Sequence, residues 1–588
     1  MKSLILLLLL CLPVFAQDKP NNAEAPKKSK GKITGLVLAD DGQPMEGAIA
    51  YVSPTSNSNS RGWEPIVTDE EGIFVAENLS PGSYTVGANS PGFVSPENPA
   101  DTKYYRPGEA VSILLVKGGV IAGRVTNALG EPVIAAPIQV VRVRDSEGRM
   151  VRETRWYAQN RNTDDKGNYR IYGLPAGKYI VSAGGKSDWE WSASASFKGT
   201  AKTYFPSSSR ESATEVSVNL GEEVSGINIR YRNEKGYSIS GKVFGGTNGT
   251  TNSAISVILE SSSGHSSIAN AYISPNDSGR TFSMHGIADG EYQISADHNQ
   301  SFGQNQNDSF RSTLRKITVK SGNISGVVLT LLPLSSVEGK IELAETPEKI
   351  RPLECKPSRT SLPEEIVATL RRETIGKDLE SNPDYWFSTD APNEKGEVKF
   401  LNIEPARYRV TANLPDETWY IKSVTMKSTT PKTAAVKTAA PATINVGKQG
   451  LSLSSGEKIK DLLISVADGA AGAKGSVITD PNKILPSRMR AFLIPAEKES
   501  VEDLLRYYEV KTKNGTFNFE NLAPGKYLLL TRPIPESEAD EIPATPTAWD
   551  PAGRLQLRRE AEAAENFLEL NSCQRVNDYS LKFSQTKK

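Results

Sequence analysis

Thr68-Asp69-Glu70-Glu71-Gly72-Ile73-Phe74-Val75-Ala76-Glu77-Asn78-Leu79-Ser80-Pro81-Gly82-Ser83-Tyr84-Thr85-Val86 decides how this chain is read. Asp69 and Gly72 stand where a reversal needs residues tolerant of positive φ. Phe74 and Ala76 then alternate at period two, Pro81-Gly82 marks a second turn, and Tyr84, Val86 and Ala88 resume the alternation. Two short strands follow from this, each with one buried face, as a β-hairpin or a pair of consecutive strands.

The spacing returns four times, and a repeat at a fixed period sets the architecture. The copies are Gly167, Tyr169, Leu174, Pro175, Gly177, Tyr179, Val181; then Gly279, Phe282, Ile287, Gly290, Tyr292, Ile294 with one inserted residue; then Gly396, Val398, Ile403, Pro405, Tyr408, Val410; and Gly515, Phe517, Leu522, Pro524, Gly525, Tyr527, Leu529. An opening strand precedes each, centred on Gly35, Gly123, Gly241, Gly339 and Gly475, and closing strands such as Val216-Ser217-Val218 and Ile227-Asn228-Ile229 follow. Many short strands with turns between them predict an all-β chain, a tandem array of about five Ig-like or prealbumin-like antiparallel β-sandwiches. The expected divisions are a signal peptide at 1–16, a disordered arm at 17–30, and sandwiches at 31–117, 118–232, 233–334, 335–468 and 469–588. The fourth is divergent, with a helix expected near Glu364 to Glu373. A surface helix is expected over Arg554 to Phe567 in the fifth, and long loops at 429–442 and 533–551. Short helical insertions thus fall in the last two units.

Together, the Ile-x-Gly-x-Val opening, the turns Gly42-Gln43-Pro44 and Gly130-Glu131-Pro132, the Asp-x-x-Gly-x-Phe/Tyr turn and the Leu-x-Pro-Gly-x-Tyr-x-Val strand resemble the carboxypeptidase regulatory-like domain. The resemblance is strong in units one and two, good in the second half of unit five, and looser in units three and four. It implies a Greek-key sandwich similar to prealbumin-like and carbohydrate-binding-like domains, and a structural or binding module with no catalysis. Tandem arrays of this kind behind a signal peptide resemble secreted bacterial proteins.

Charge and composition narrow the function. Lys plus Arg and Asp plus Glu both number 69, so there is no basic excess to neutralise phosphates, and nucleic acid is excluded as a partner. Met1 to Ala16 is a charged start and a short apolar run ending in Pro13-Val14-Phe15-Ala16, which predicts cleavage after Ala16 and a secreted or periplasmic protein. The run is too short to span a membrane, and none like it recurs. Cleavage leaves Cys355 and Cys573, a candidate disulfide in an oxidising compartment.

No zinc-peptidase spacing surrounds His265, His285 or His298, and no nucleophile elbow, P-loop or dinucleotide fingerprint occurs. The reading is therefore no enzyme, no metal and no cofactor. Asp69, Asp164 and Asp165 read as turn residues before calcium ligands. Trp189 and Trp191, in Asp188-Trp189-Glu190-Trp191, have no obvious core position, so they are either sugar-stacking residues or cover for a sandwich edge. Tyr104-Tyr105-Arg106-Pro107 and Tyr204-Phe205-Pro206 read as packing features, and Trp386 as core. Two functions remain: a secreted binding or adhesion protein recognising polysaccharide or a cell-surface protein, or a spacer or scaffold of the cell envelope.

Overall fold

The computed structural model describes residues 31–56, 65–96, 102–146, 148, 151, 161–185, 197, 199–246, 254–262, 267–298, 309–344, 359–373, 387–427, 443–479, 484–534 and 546–583. The signal peptide, the arm, the 429–442 loop and Trp386 lie outside them. The chain is an all-β array of five sandwiches, each around its own apolar core.

One plan recurs. In the first sandwich the opening strand Gly31–Leu38 lies between Ile73–Leu79, antiparallel, and Ala110–Leu114, parallel. The facing sheet places Ile49–Pro54 between Ile66–Val67 and Tyr84–Asn89. Opening strands Gly119–Thr126, Tyr237–Gly245, Ser335–Ala344 and Ala471–Ile478 repeat the arrangement, each with an antiparallel neighbour on one side and a parallel closing strand on the other. In the third sandwich Phe310–Ser312 pairs with both Gly290–His298 and Ile324–Pro333, joining the two sheets into one of eight strands.

The two strands of the repeated signature are thus consecutive strands of opposite sheets, not a hairpin: Ile73–Leu79 pairs with the opening strand and Tyr84–Asn89 with Ile49–Pro54. A bulge produces the crossing. In every copy the residue before the signature's apolar position has left-handed backbone, with φ of +59° at Asn78, +72° at Gly173, +76° at Gly286, +59° at Asn402 and +56° at Asn521. The ladder slips by one residue there, at Ala76–Leu79 in the first copy, and the bent strand end aims at the facing sheet. The signature tyrosine then locks the arch. Its hydroxyl donates to the carbonyl four residues upstream in all five copies: Tyr84 to Ser80 at 2.8 Å, Tyr179 to Pro175 at 2.5 Å, Tyr292 to Ala288 at 3.0 Å, Tyr408 to Glu404 at 2.9 Å and Tyr527 to Ala523 at 2.6 Å. This is the tyrosine-corner device of Greek-key sandwiches. Burial of the ring pushes the Tyr84, Tyr292, Tyr408 and Tyr527 hydroxyls above their ordinary pKa, keeping them donors.

The opening-strand glycine is required by close approach. A methyl group on Gly241 would lie 1.9 Å from the Val327 carbonyl oxygen, and on Gly475 2.0 Å from that of Tyr579. Only glycine lets the closing strand run this near.

The helix expected near Glu364 to Glu373 is not there. A single 3-10 turn, Pro363–Glu365, leads into the strand Val367–Arg372. Its charged composition favours helix only weakly, and tertiary pairing outweighs that preference. Leu370 and Ala368 enter the core while the backbone pairs with Ala406–Asn413. The helix of the fifth sandwich, Pro551–Ala564, starts where Asp550 accepts from Gly553 N–H at 2.8 Å and Pro551 occupies the first turn. Its Leu557 and Ala561 bury against Phe492, Ile494 and Trp549, forming a second small core.

Candidate functional site

The aromatic pair singled out by the sequence, Trp189 and Trp191, lies outside the described residues, as does Cys355. Cys573 is buried and disulfide-bonded. Tyr105 exchanges two backbone hydrogen bonds of 2.8 Å with Tyr84, and Phe205 N–H donates to Val181 O at 2.9 Å, so both aromatic-proline segments close sheet edges. The Asp164 carboxylate accepts from the N–H of Asn168 at 2.7 Å and of Lys166 at 2.9 Å, which closes its turn. His285 bonds Ser283 Oγ at 3.0 Å on an exposed face, His298 stacks on Phe310, and His265 lies outside the described residues. Among the described residues no three His, Cys, Asp or Glu side chains converge as a metal set, and no helix is long and apolar enough to cross a membrane.

What the repeat could not reveal are the seams between sandwiches. Phe93–Val94 pairs with Val116–Lys117, tying the first sandwich to the connector into the second. Between the second and third, the connector at Glu234 to Gly236 is itself bonded to residues 199–201: Ala201 N–H donates to Glu234 O and Gly236 N–H to Gly199 O, both at 2.9 Å. The third meets the fourth through Arg311 and Glu404 at 3.2 Å and through Ser455 Oγ donating to Pro333 O at 2.9 Å.

A further contact joins sandwiches distant in the chain. Ser83 of the first donates from its N–H to Glu364 O at 3.2 Å and from its hydroxyl to Glu365 O at 2.8 Å, both in the fourth. Arg106, held by Glu109 at 2.8 Å, donates to Pro415 O. The array therefore folds back until its first member docks on its fourth.

The seam between the fourth and fifth sandwiches joins a backbone bond, Ala470 N–H to Thr418 O at 2.9 Å, to several side-chain links. Asn521 Nδ2 donates to the carbonyls of Asp416 and Trp419, each at 2.7 Å, Arg575 donates to Glu417 O at 2.8 Å, and the Arg371 guanidinium stacks over Trp549 at 5.2 Å. Asn521, Arg371 and Trp549 line a cleft of about 370 Å³. Val410, Ala412 and Ile421 wall it on one side, and Leu505, Tyr508 and Trp549 on the other. Sites for small molecules are concave, mostly apolar and often placed between domains, and this cleft has those properties.

No family model matches the chain, and no curated protein matches it. Solved structures similar to parts of it include the Bacillus anthracis TIE protein, at 15% identity and a TM-score of 0.14 over 52% of this chain and 51% of that one. The minor pilin GBS52 of Streptococcus agalactiae is 16% identical with a TM-score of 0.20, over 35% of this chain and 96% of the pilin. BcpA, the major pilin subunit of Bacillus cereus, is 8% identical with a TM-score of 0.13, over 52% and 99%. The chain spans about half the length of the Bacillus anthracis protein it matches. The class defined by the strand pairings is an all-β, multidomain array of sandwiches.

Proposed function

We propose that the chain is a non-catalytic, secreted binding protein of the cell surface, made of carboxypeptidase regulatory-like sandwiches joined at 117/118, 232/233, 334/335 and 468/469. The observation that carries this reading over a plain spacer is the docking of the first sandwich on the fourth through Ser83 and Arg106. A spacer serves by reach, and an array that returns on itself forgoes it. Bracing at every seam instead holds surface groups at set positions, which favours binding by lowering the ordering cost. Residues 1–16 direct export and are cleaved off after Ala16, and the oxidising compartment closes a Cys355–Cys573 bond across the fourth and fifth sandwiches. Polysaccharide is the proposed ligand of Trp189 and Trp191, whose indole faces suit sugar rings.

A screen of the exported protein against glycans and cell-wall preparations tests the reading. Binding that is lost in the Trp189→Ala, Trp191→Ala double variant with an unchanged melting profile supports it. A chain that binds nothing in the screen and scatters as an extended rod at low angle is a spacer.

A further inference from the structure

We propose that the pocket at the seam between the second and third sandwiches seats one carboxylate of an acidic polysaccharide, held between Arg210 and Lys202. This rests on the polysaccharide reading and adds to it the charge of the sugar and the residues that select it.

Charge selects an anion. Lys202, Arg210 and Glu211 of the second sandwich line the pocket, with Ser283, His285 and Tyr292 of the third. Two cations against one carboxylate leave one positive charge for a ligand to meet. Glu211 lies beside the Tyr292 hydroxyl, since a methyl group on Gly290 would be 2.9 Å from Glu211 Oε1 and 3.1 Å from the Tyr292 oxygen. Burial pushes that hydroxyl above its ordinary pKa, the Glu211 charge adds to the rise and the Arg210 charge opposes it, so both side chains act on one part of the wall.

The cations are placed for the task. Lys202 bridges the seam, donating from Nζ to Gln139 Oε1 of the second sandwich at 2.7 Å and to Ile268 O of the third at 3.4 Å. Those bonds leave the ammonium a third N–H. Its stem crosses Gly185, where a methyl group would lie 2.7 Å from Lys202 Cγ. Arg210 is half-buried, and among the described residues its side chain has no hydrogen bond or ion pair. Its planar fork matches a carboxylate.

Size selects the group and what carries it. At roughly 30 Å³ per water, about 70 Å³ holds about two waters, the places that the two oxygens of a carboxylate take. A sugar ring is too large to follow, so the acid enters and the ring stays at the rim. There His285 and Ser283, bonded to each other at 3.0 Å on an exposed face, offer hydrogen bonds to hydroxyls. Gly185 and Gly199, which flank the Trp189–Trp191 stretch in the sequence, line the same pocket. The acid seat and the tryptophans assigned to sugar stacking are thus neighbours in the chain.

Titration calorimetry of the whole chain with oligogalacturonate and with its methyl ester tests this, because the two share every ring and differ in the acid. The acid form should bind at least about tenfold more tightly, the smallest ratio expected of a charge-assisted hydrogen bond. Arg210→Gln and Lys202→Met, each with an unchanged melting profile, should reduce that preference, and together they should remove it while the ester binds as before. Trp189→Ala with Trp191→Ala should instead weaken both forms alike. Equal affinity of the wild-type chain for the two forms overturns the proposal and leaves the polysaccharide reading standing. Binding of neither form overturns it as well, and the glycan and cell-wall screen then decides the polysaccharide reading by itself. A preference that survives in a folded double variant of Arg210 and Lys202 overturns it too. Polyglutamate bound as tightly as the oligogalacturonate would make the pocket a seat for an acidic protein chain and overturn the sugar.

Discussion

The seam between the second and third sandwiches and that between the fourth and fifth solve one problem in two ways. In the former, backbone bonds to backbone through Ala201, Gly199 and the connector, and Lys202 Nζ reaches Ile268 O at 3.4 Å. The space left over is about 70 Å³. In the latter a single backbone bond, Ala470 N–H to Thr418 O, is joined by side-chain links from Asn521, Arg575 and the Arg371–Trp549 stack, and about 370 Å³ stays open. Backbone pairing sets a fixed short separation, so it seals. Side chains of different lengths hold domains apart, so they leave a chamber. The first kind of seam leaves little space between its sandwiches and the second leaves more.

The largest test of this difference removes a corner tyrosine. Tyr179→Ala and Tyr527→Ala each take a buried ring and its hydrogen bond from one core, and each should cost about 3–5 kcal/mol in its own sandwich. If backbone seams couple more tightly, calorimetry of the Tyr179 variant should show the third sandwich melting earlier with the second. The Tyr527 variant should lower the fifth while the fourth moves less. Equal coupling in the two pairs would break the comparison.

A smaller effect is expected at Asn521. Its amide serves two carbonyls of the fourth sandwich, and its backbone sits at φ +56°. Asn521→Ala should cost about 2–3 kcal/mol from two lost hydrogen bonds and a left-handed alanine. Asn521→Gly keeps the conformation and should recover about 1 kcal/mol of it. Denaturant unfolding followed in the fifth sandwich separates the two contributions. A glycine variant no more stable than the alanine one would show that the bulge conformation carries no strain.

Asn521 also marks what was legible in the sequence. The five-fold spacing and its tyrosines were readable because each core must bury the same residues at the same intervals. Period two reports which face of a strand is buried and is silent about which strand lies beside it, so the hairpin and the crossing pair looked alike. The deciding signal was nevertheless present: Asn78, Gly173, Gly286, Asn402 and Asn521 all directly precede the apolar position, and Asn and Gly are the residues that accept left-handed backbone. The Glu364 to Glu373 segment misled because its partner strand, Ala406–Asn413, is distant in sequence and supplied the pairing that composition could not indicate. The seams were illegible for the same reason. Ser83 and Glu365 stand 282 positions apart, and nothing local to Arg371 announces Trp549.

The smallest expected effect is a pH dependence confined to one side of the comparison. The Asp164 carboxyl is held below its ordinary pKa first by the N–H of Asn168, then by the Asn168 side chain and Lys166. Its pKa is lower folded than unfolded, so it adds stability above the unfolded value of about 3.9 and loses it as the pH falls through the folded value. Asp164→Asn keeps an acceptor oxygen for the turn and removes the titration. Between about pH 5 and 3, the melting temperature of the second sandwich should therefore fall less steeply in the variant than in the wild-type chain. The third sandwich should share that change through the backbone seam, while the fourth and fifth keep the wild-type acid profile. An acid limb unaltered by the substitution would mean that the turn holds as firmly with a protonated Asp164 as with a charged one. A change appearing equally in the fifth sandwich would mean that stability passes along the whole array, and the two kinds of seam would then differ in the space they enclose but not in how they transmit unfolding.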